Sequence, residues 1–163
     1  MEIRSISKEH FPEIITIYQQ GIDTGNATFE TTVPAWEAWN EQKLPYCRLM
    51  AVDNNTILGW AALSKVSSRC VYEGVAEVSV YVSQDHRGKG VGEFLMKNLI
   101  EESETQGIWT LQSGMFPENE GTISLHKKMG FRVIGFREKI GKLEGVWRDN
   151  ILMERRSKKV GIE

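Results

Sequence analysis

Hydrophobic and polar positions change period several times along the chain. Residues 2–6 predict a short strand. Phe11, Ile14, Ile15, Tyr18 and Ile22 then recur at helical spacing behind Ser7, a helix-capping residue type. That helix is expected to stop near Gly21 or Gly25, followed by a polar loop over residues 23–33. Pro34 sits near the first turn of a short second helix carrying Trp36 and Trp39. Residues 47–53 and 57–64 read as two strands joined by Asp53-Asn54-Asn55-Thr56, a turn composition. Ser64 to Gly74 reads as a loop. In the next strand Val78, Val80 and Val82 alternate with Glu77, Ser79 and Tyr81. From Val91, the residues Phe94, Leu95, Leu99 and Ile100 make an apolar helical stripe, with Glu93, Lys97, Glu101, Glu102 and Glu104 facing outward. Gly107 stops that helix. Residues 109–113 predict a strand, and Pro117-Glu118-Asn119 opens a helix that Gly130 closes. Residues 131–138 and 146–154 read as closing strands around a turn at 141–145.

A chain of 163 residues with 40% apolar content has the size and core of one domain, here taken as 1–163. A net charge of −2 gives no electrostatic footprint for nucleic acid. The basic tail, Arg155-Arg156-Ser157-Lys158-Lys159, is too short to argue for such a partner and is expected to fray from about residue 156. Cys47 and Cys70 form no C-x-x-C and no metal spacing. They read as buried thiols in a reducing compartment, so a cytoplasmic location is expected. No apolar run nears the ~20 residues of a membrane span, the N-terminus has no apolar signal region, and no membrane partner is expected.

Candidate chemistry begins where the alternating strand runs into Arg87-Gly88-Lys89-Gly90-Val91-Gly92. Glycines let backbone approach a ligand, and the first N–H groups of a helix lack internal partners at its positive end. A glycine loop opening a helix therefore suits a phosphate. Lys89 is followed by glycine, so this is no Walker loop, and no G-x-G-x-x-G frame fits. On the glycines alone, a flexible turn is an equal reading. Glu77 adds a carboxylate on a β-branched strand, where it costs free energy unless paired or functional.

Arg87-x-x-Gly90-x-Gly92 after an apolar strand resembles the pyrophosphate arm of the GNAT superfamily of acetyl-CoA-dependent N-acetyltransferases. Thr28-Phe29, Arg69-x-x-Tyr72, Glu77-x-Ser79-Val80-Tyr81, Asn119, Leu125-His126, Gly130-Phe131 and Gly145-x-Trp147-x-Asp149 together resemble its phosphinothricin acetyltransferase branch. Val71-Tyr72-x-Gly74-Val75-Ala76-Glu77, with Arg137-Glu138-x-Ile140-Gly141 and Trp147-Arg148-Asp149, leans toward the members that act on arsinothricin. The likeness spans roughly residues 2–156. It implies an α/β fold with a central mixed, mostly antiparallel twisted sheet and helices on both faces. It also implies acetyl-CoA as co-substrate, no metal, and a homodimer whose partner borders the acceptor pocket.

The same resemblance assigns roles. Val80, Tyr81 and Val82 would meet the thioester and pantetheine, and Arg87, Gly88, Lys89, Gly90, Val91, Gly92 and Glu93 the pyrophosphate. Asn119 would hydrogen-bond the pantetheine arm, although a helix N-cap alone also explains it. Phe29 and Glu30 would line the acceptor pocket, the alternative being a solvated loop with one anchoring aromatic. Arg69 and Tyr72 would hold the acceptor, where a guanidinium suits a carboxylate, the alternative being a surface charge. His126 stands where many relatives carry a tyrosine that protonates the departing thiolate, and a structural histidine is the alternative.

An amine attacks a thioester only as the free base, and α-amines have a reference pKa of roughly 8 in peptides. Glu77 is the candidate general base, acting directly or through water. Acceptors expected from the resemblance are phosphinothricin, arsinothricin, methionine sulfoximine or L-amino acids. Competing readings are a protein, peptide or polyamine N-acetyltransferase, and a silent acyl-CoA-binding module that regulates a partner.

Overall fold

A computed structural model describes residues 1–163. Seven strands form one sheet: β1 (Glu2–Ser5), β2 (Leu49–Asp53), β3 (Thr56–Lys65), β4 (Val75–Val82), β5 (Thr110–Met115), β6 (Arg132–Leu143) and β7 (Val146–Arg156). Their spatial order is β1-β2-β3-β4-β5-β7-β6. Only β4 and β5 run parallel, and every other neighbouring pair is antiparallel. Four α-helices flank the sheet: α1 (Phe11–Asp23), α2 (Trp36–Gln42), α3 (Val91–Thr105) and α4 (Glu120–Lys128). The mixed, mostly antiparallel α/β architecture expected from the sequence is the one observed.

Alternation along β2 explains why both faces are covered. Leu49 and Ala51 point to one side, where Leu95, Met96 and Leu99 of α3 bury against them together with Leu63, Ala76 and Met153. Met50 and Val52 point to the other, where Ile14, Ile17 and Tyr18 of α1 meet Trp39 of α2 and Trp60 of β3. Leu95, Leu99, Ile14 and Trp39 are fully buried. Each such aliphatic side chain contributes roughly 1.5–3 kcal/mol on leaving water.

Several local expectations change. Ser7 caps a 3-10 turn at Lys8–His10, and α1 starts at Phe11. The turn expected at 141–145 shrinks to Glu144 and Gly145, both at positive φ, which suits a tight two-residue hairpin. Gly141 to Leu143 join β6 instead, because the β6–β7 register shifts between Arg137 and Gly141 and pairing resumes at Gly141↔Arg148. Of the two cysteines only Cys47 is buried, and burial pushes its thiol up to about 12, while Cys70 is exposed. The tail expected to fray from about residue 156 makes hydrogen bonds to the body of the domain at its start. Ser157 donates its N–H to the Trp109 carbonyl at 2.8 Å and its hydroxyl to Glu104 at 2.9 Å. Arg155 and Lys159 pair with the same carboxylate at 3.1 and 3.6 Å. A charged segment is held because Glu104 gathers several partners at one place. No helix is long and apolar enough to cross a membrane.

Candidate active site

β4 and β5 pair over Val75↔Thr110, Ala76↔Leu111 and Glu77↔Gln112, then separate. Both strands continue, to Val82 and Met115, so the β5-facing backbone of residues 78–82 has no ladder partner. A cleft of about 1610 Å³ opens between the diverging ends.

One end of the cleft is the glycine loop. Gly88 and Gly90 adopt φ of 73° and 82°, the left-handed region that strains residues with a Cβ. A Cβ built on either would meet nothing within 4 Å, so both face open space. Gly92 differs: a Cβ there would come within 3.2 Å of the Leu125 side chain of α4. The first amides of α3 lie at this opening with no helical acceptor, beside exposed Arg87, whereas Lys89 does not line the cleft and donates from Nζ to the Asp85 carbonyl at 3.0 Å. These groups fit a pyrophosphate. The Glu93 carboxylate pairs with Lys128 at 2.7 Å, so its side chain is already engaged. The Asn119 amide is also engaged. Its Oδ1 accepts from the Thr122 N–H at 3.2 Å as the cap of α4, and its Nδ2 donates to the Asn26 carbonyl at 3.2 Å. The cap reading is therefore observed, and the side chain also ties α4 to the loop after α1.

Further along, Glu77, Ser79 and Tyr81 share one face of β4, opposite Ala76 and Val78. Glu77 lines the cleft and accepts from Gln112 Nε2 at 3.4 Å. The Tyr81 ring stacks on Tyr18 and Trp60, with centroids 4.8 and 5.0 Å apart, and burial raises its hydroxyl pKa. Val80 and Val82 also line the cleft.

Phe29 and Glu30 line it from the loop after α1. The Phe29 ring meets Phe116 edge-on at 4.8 Å and lies against Gly141 of β6. Arg148 of β7 pins this loop, donating to the Gly25 carbonyl at 2.8 Å and to Asn26 Oδ1 at 2.7 Å, with its guanidinium 4.0 Å above the Phe116 ring. Arg69 and Tyr72 do not line the cleft formed by their own chain. Both are exposed, with the Arg69 guanidinium 5.4 Å from the Tyr72 ring centre.

His126 is buried at the cleft wall. Its Nδ1 lies 2.7 Å from the Thr122 carbonyl, which can only accept, so Nδ1 carries the proton and Nε2 a lone pair. Nε2 is buried with no protein partner. Burial lowers the ring's pKa, against an upward pull from the Thr122 carbonyl. The imidazole is thus held neutral. Nowhere do three or more His, Cys, Asp or Glu side chains converge as a metal site would need.

Two features escaped the sequence. Lys43 lines the cleft, with Nζ donating to Ser64 Oγ at 3.2 Å and Ser79 Oγ at 3.0 Å. In the sequence it is one lysine before a Leu-Pro in a loop, with no signal to separate it from surface lysines. Gln112 reaches Glu77 only because β4 and β5 share that register, which no local pattern encodes.

A parallel strand pair that splays beside a glycine-lipped helix N-terminus, with a carboxylate at the fork, is the arrangement that the resemblance to acetyl-CoA-dependent N-acetyltransferases implies. Known proteins bear this out. The sequence profile of the acetyltransferase (GNAT) family matches residues 10–131. An L-methionine sulfoximine/L-methionine sulfone acetyltransferase of Pseudomonas aeruginosa is 30% identical over 158 residues, spanning 93% of this chain and 92% of its own. A phosphinothricin N-acetyltransferase of Alcaligenes faecalis is 30% identical over 162 residues, 94% of this chain and 81% of its own. The structure of a phosphinothricin acetyltransferase from Sinorhizobium meliloti in complex with acetyl-CoA has a TM-score of 0.89 at 25% identity, covering 99% of this chain and 91% of that one. The chain belongs to the acetyltransferase (GNAT) family and is an acetyl-CoA-dependent N-acetyltransferase.

Proposed function

We propose that the enzyme acetylates the α-amino group of a small amino-acid-like acceptor, with Glu77 as general base. The supporting observation is the position of Glu77 on the last paired rung of β4 and β5, facing the cleft. One short segment, β4 to the start of α3, thereby carries both the base and the seat for the pyrophosphate. An ammonium arriving at the fork loses its proton to Glu77, directly or through water, and attacks as the free amine. Gln112 orients the carboxylate by donating to one oxygen. Backbone N–H groups of residues 78–82 that face the gap are free to stabilise charge developing on the acyl oxygen. The acceptor class rests on the relatives named for methionine sulfoximine and phosphinothricin. Phosphinothricin, arsinothricin, methionine sulfoximine and common L-amino acids form the panel to test.

A homodimer belongs to the same reading. Phe136, Ile140, Val146 and Trp147 on the β6–β7 hairpin are each more than half exposed. Ile140 also lines the cleft, so a second copy seated there would border the acceptor. Arg69 and Tyr72 would then serve a composite pocket.

Glu77→Gln tests the base. General-base help is worth ~10²–10⁴ in rate. The variant should lose about that much in kcat at neutral pH and keep its affinity for acetyl-CoA in calorimetry. Unchanged turnover at saturating acetyl-CoA would make Glu77 structural.

A further inference from the structure

Lys43 follows α2, and its backbone bridges to Ser64 of β3. Its side chain crosses that strand to reach Ser79 on β4. Both partners are neutral hydroxyls, and no carboxylate of the chain forms an ion pair with this ammonium. Burial lowers its pKa, while Glu77 and Glu30 act at longer range to keep it charged. A partly buried ammonium held by hydroxyls alone keeps a favourable place for an anion beside it.

The donors point to what that ligand carries. An ammonium has three N–H groups, and Lys43 spends two on the serines. Each serine oxygen accepts from Lys43, and neither hydroxyl hydrogen finds a partner in the chain. One N–H and two O–H donors therefore remain at a single place in the cleft wall. Such a set suits a carboxylate, which only accepts. Ser64 is also the cross-strand partner of Glu77. An α-amino acid bears its amine and carboxylate on one carbon, so a carboxylate site must adjoin the base. This one does, and it lies in the cleft of a single chain, without the second copy that Arg69 would need to reach an acceptor.

We infer that Lys43, with the Ser64 and Ser79 hydroxyls, receives the α-carboxylate of the acceptor and gives the enzyme its preference for amino acids over plain amines. The inference rests on the proposed amino-acid acetylation. Glu77 and Glu30 add to the preference, because they offset the ammonium in the empty cleft and leave the acceptor's own ammonium a favourable neighbour.

The test measures thiol release from acetyl-CoA with two pairs of acceptors. The first is L-methionine sulfone and its decarboxylated amine. The second is phosphinothricin and its decarboxylated form, which keeps the phosphinate. If the wild type acetylates neither amino acid, the proposed function fails, and binding of methionine sulfone to the CoA complex by calorimetry still tests Lys43. With turnover, Lys43→Met should cut the preference for methionine sulfone over its amine about 10–100-fold, the worth of a charge-assisted hydrogen bond. The loss should fall on KM. Lys43→Arg should restore part of it. Ser79→Ala, which keeps the lysine, should shift the preference the same way by less and covers the case in which Lys43→Met does not fold. Equal losses on acid and amine, or no change in preference, would overturn the inference. A loss seen with the decarboxylated phosphinate but not with the sulfone pair would reassign the site to a side-chain anion and overturn it too.

Discussion

The His126 ring spends its only proton on the Thr122 carbonyl, its other nitrogen sits buried without a partner, and the ring packs T-shaped against Phe131. Protonation would place a charge where water cannot follow, which is why burial depresses its pKa. A depressed value in the fold contributes stability above the ordinary histidine value of about 6.5, where both states are neutral. As pH falls through that value the unfolded chain takes up a proton that the folded chain refuses, and stability drops. Urea titrations from pH 8 to 5 should show that decline in the wild type and a shallower one in His126→Gln. Equal slopes would mean that other groups set the acid sensitivity. The same geometry bears on catalysis: Nδ1 is engaged by Thr122, so only Nε2 is left to exchange a proton with a departing thiolate.

At the scale of elements, the site is made by ends. Helix α4 begins at a capping Asn119 whose amide nitrogen holds the Asn26 carbonyl, so one side chain joins a helix start to the loop after α1. Asn119→Ala should cost about 1 kcal/mol for the lost cap. Because Phe29 rides on that loop, its KM for the acceptor should rise as well, and denaturation with steady-state kinetics reads both effects. A cap with no bearing on the loop would lower stability and leave KM alone. Helix α3 begins at Gly90 with φ 82°. Gly90→Val places a β-branched side chain in the left-handed region, at a cost of order 1–3 kcal/mol. The expected result is weaker acetyl-CoA binding in calorimetry with the acceptor KM preserved. Unaltered acetyl-CoA affinity would remove the loop from the cofactor site.

Over the whole molecule, the two cores sit on opposite faces of the sheet, and the β6–β7 end is left thinly covered. Trp147 is 54% exposed and Phe136 59%. A large apolar group in water at a sheet edge marks a contact surface. If a second copy covers it, Trp147→Glu should turn a dimer into a monomer in sedimentation and reduce acceptor turnover, since Ile140 is shared between hairpin and cleft. A wild type that sediments as a monomer would end the dimer reading.

Much of this was legible before any coordinates. Periodicity located the strands and helices that face the two cores, because residues that must face a core repeat at the pitch of the element that carries them, while the closing strands alternate only imperfectly and were placed with the help of the turn between them. The glycine loop and Glu77 were legible because they lie in one continuous segment, so spacing alone brings strand, loop and helix together. Cross-strand register was not. Gln112 meets Glu77, and Lys43 meets Ser79, through pairings between segments 35 and 36 residues apart, and nothing local selects those pairings. Arg69 carries the charge expected of a carboxylate anchor, yet the chain folds with it outside the cleft. The lysine inside was indistinguishable from the others in sequence. Chain chemistry alone placed a glycine loop and a carboxylate in one segment; tertiary structure alone decided which cation lies near that carboxylate, because burial and opposition belong to the packed sheet and not to any one strand.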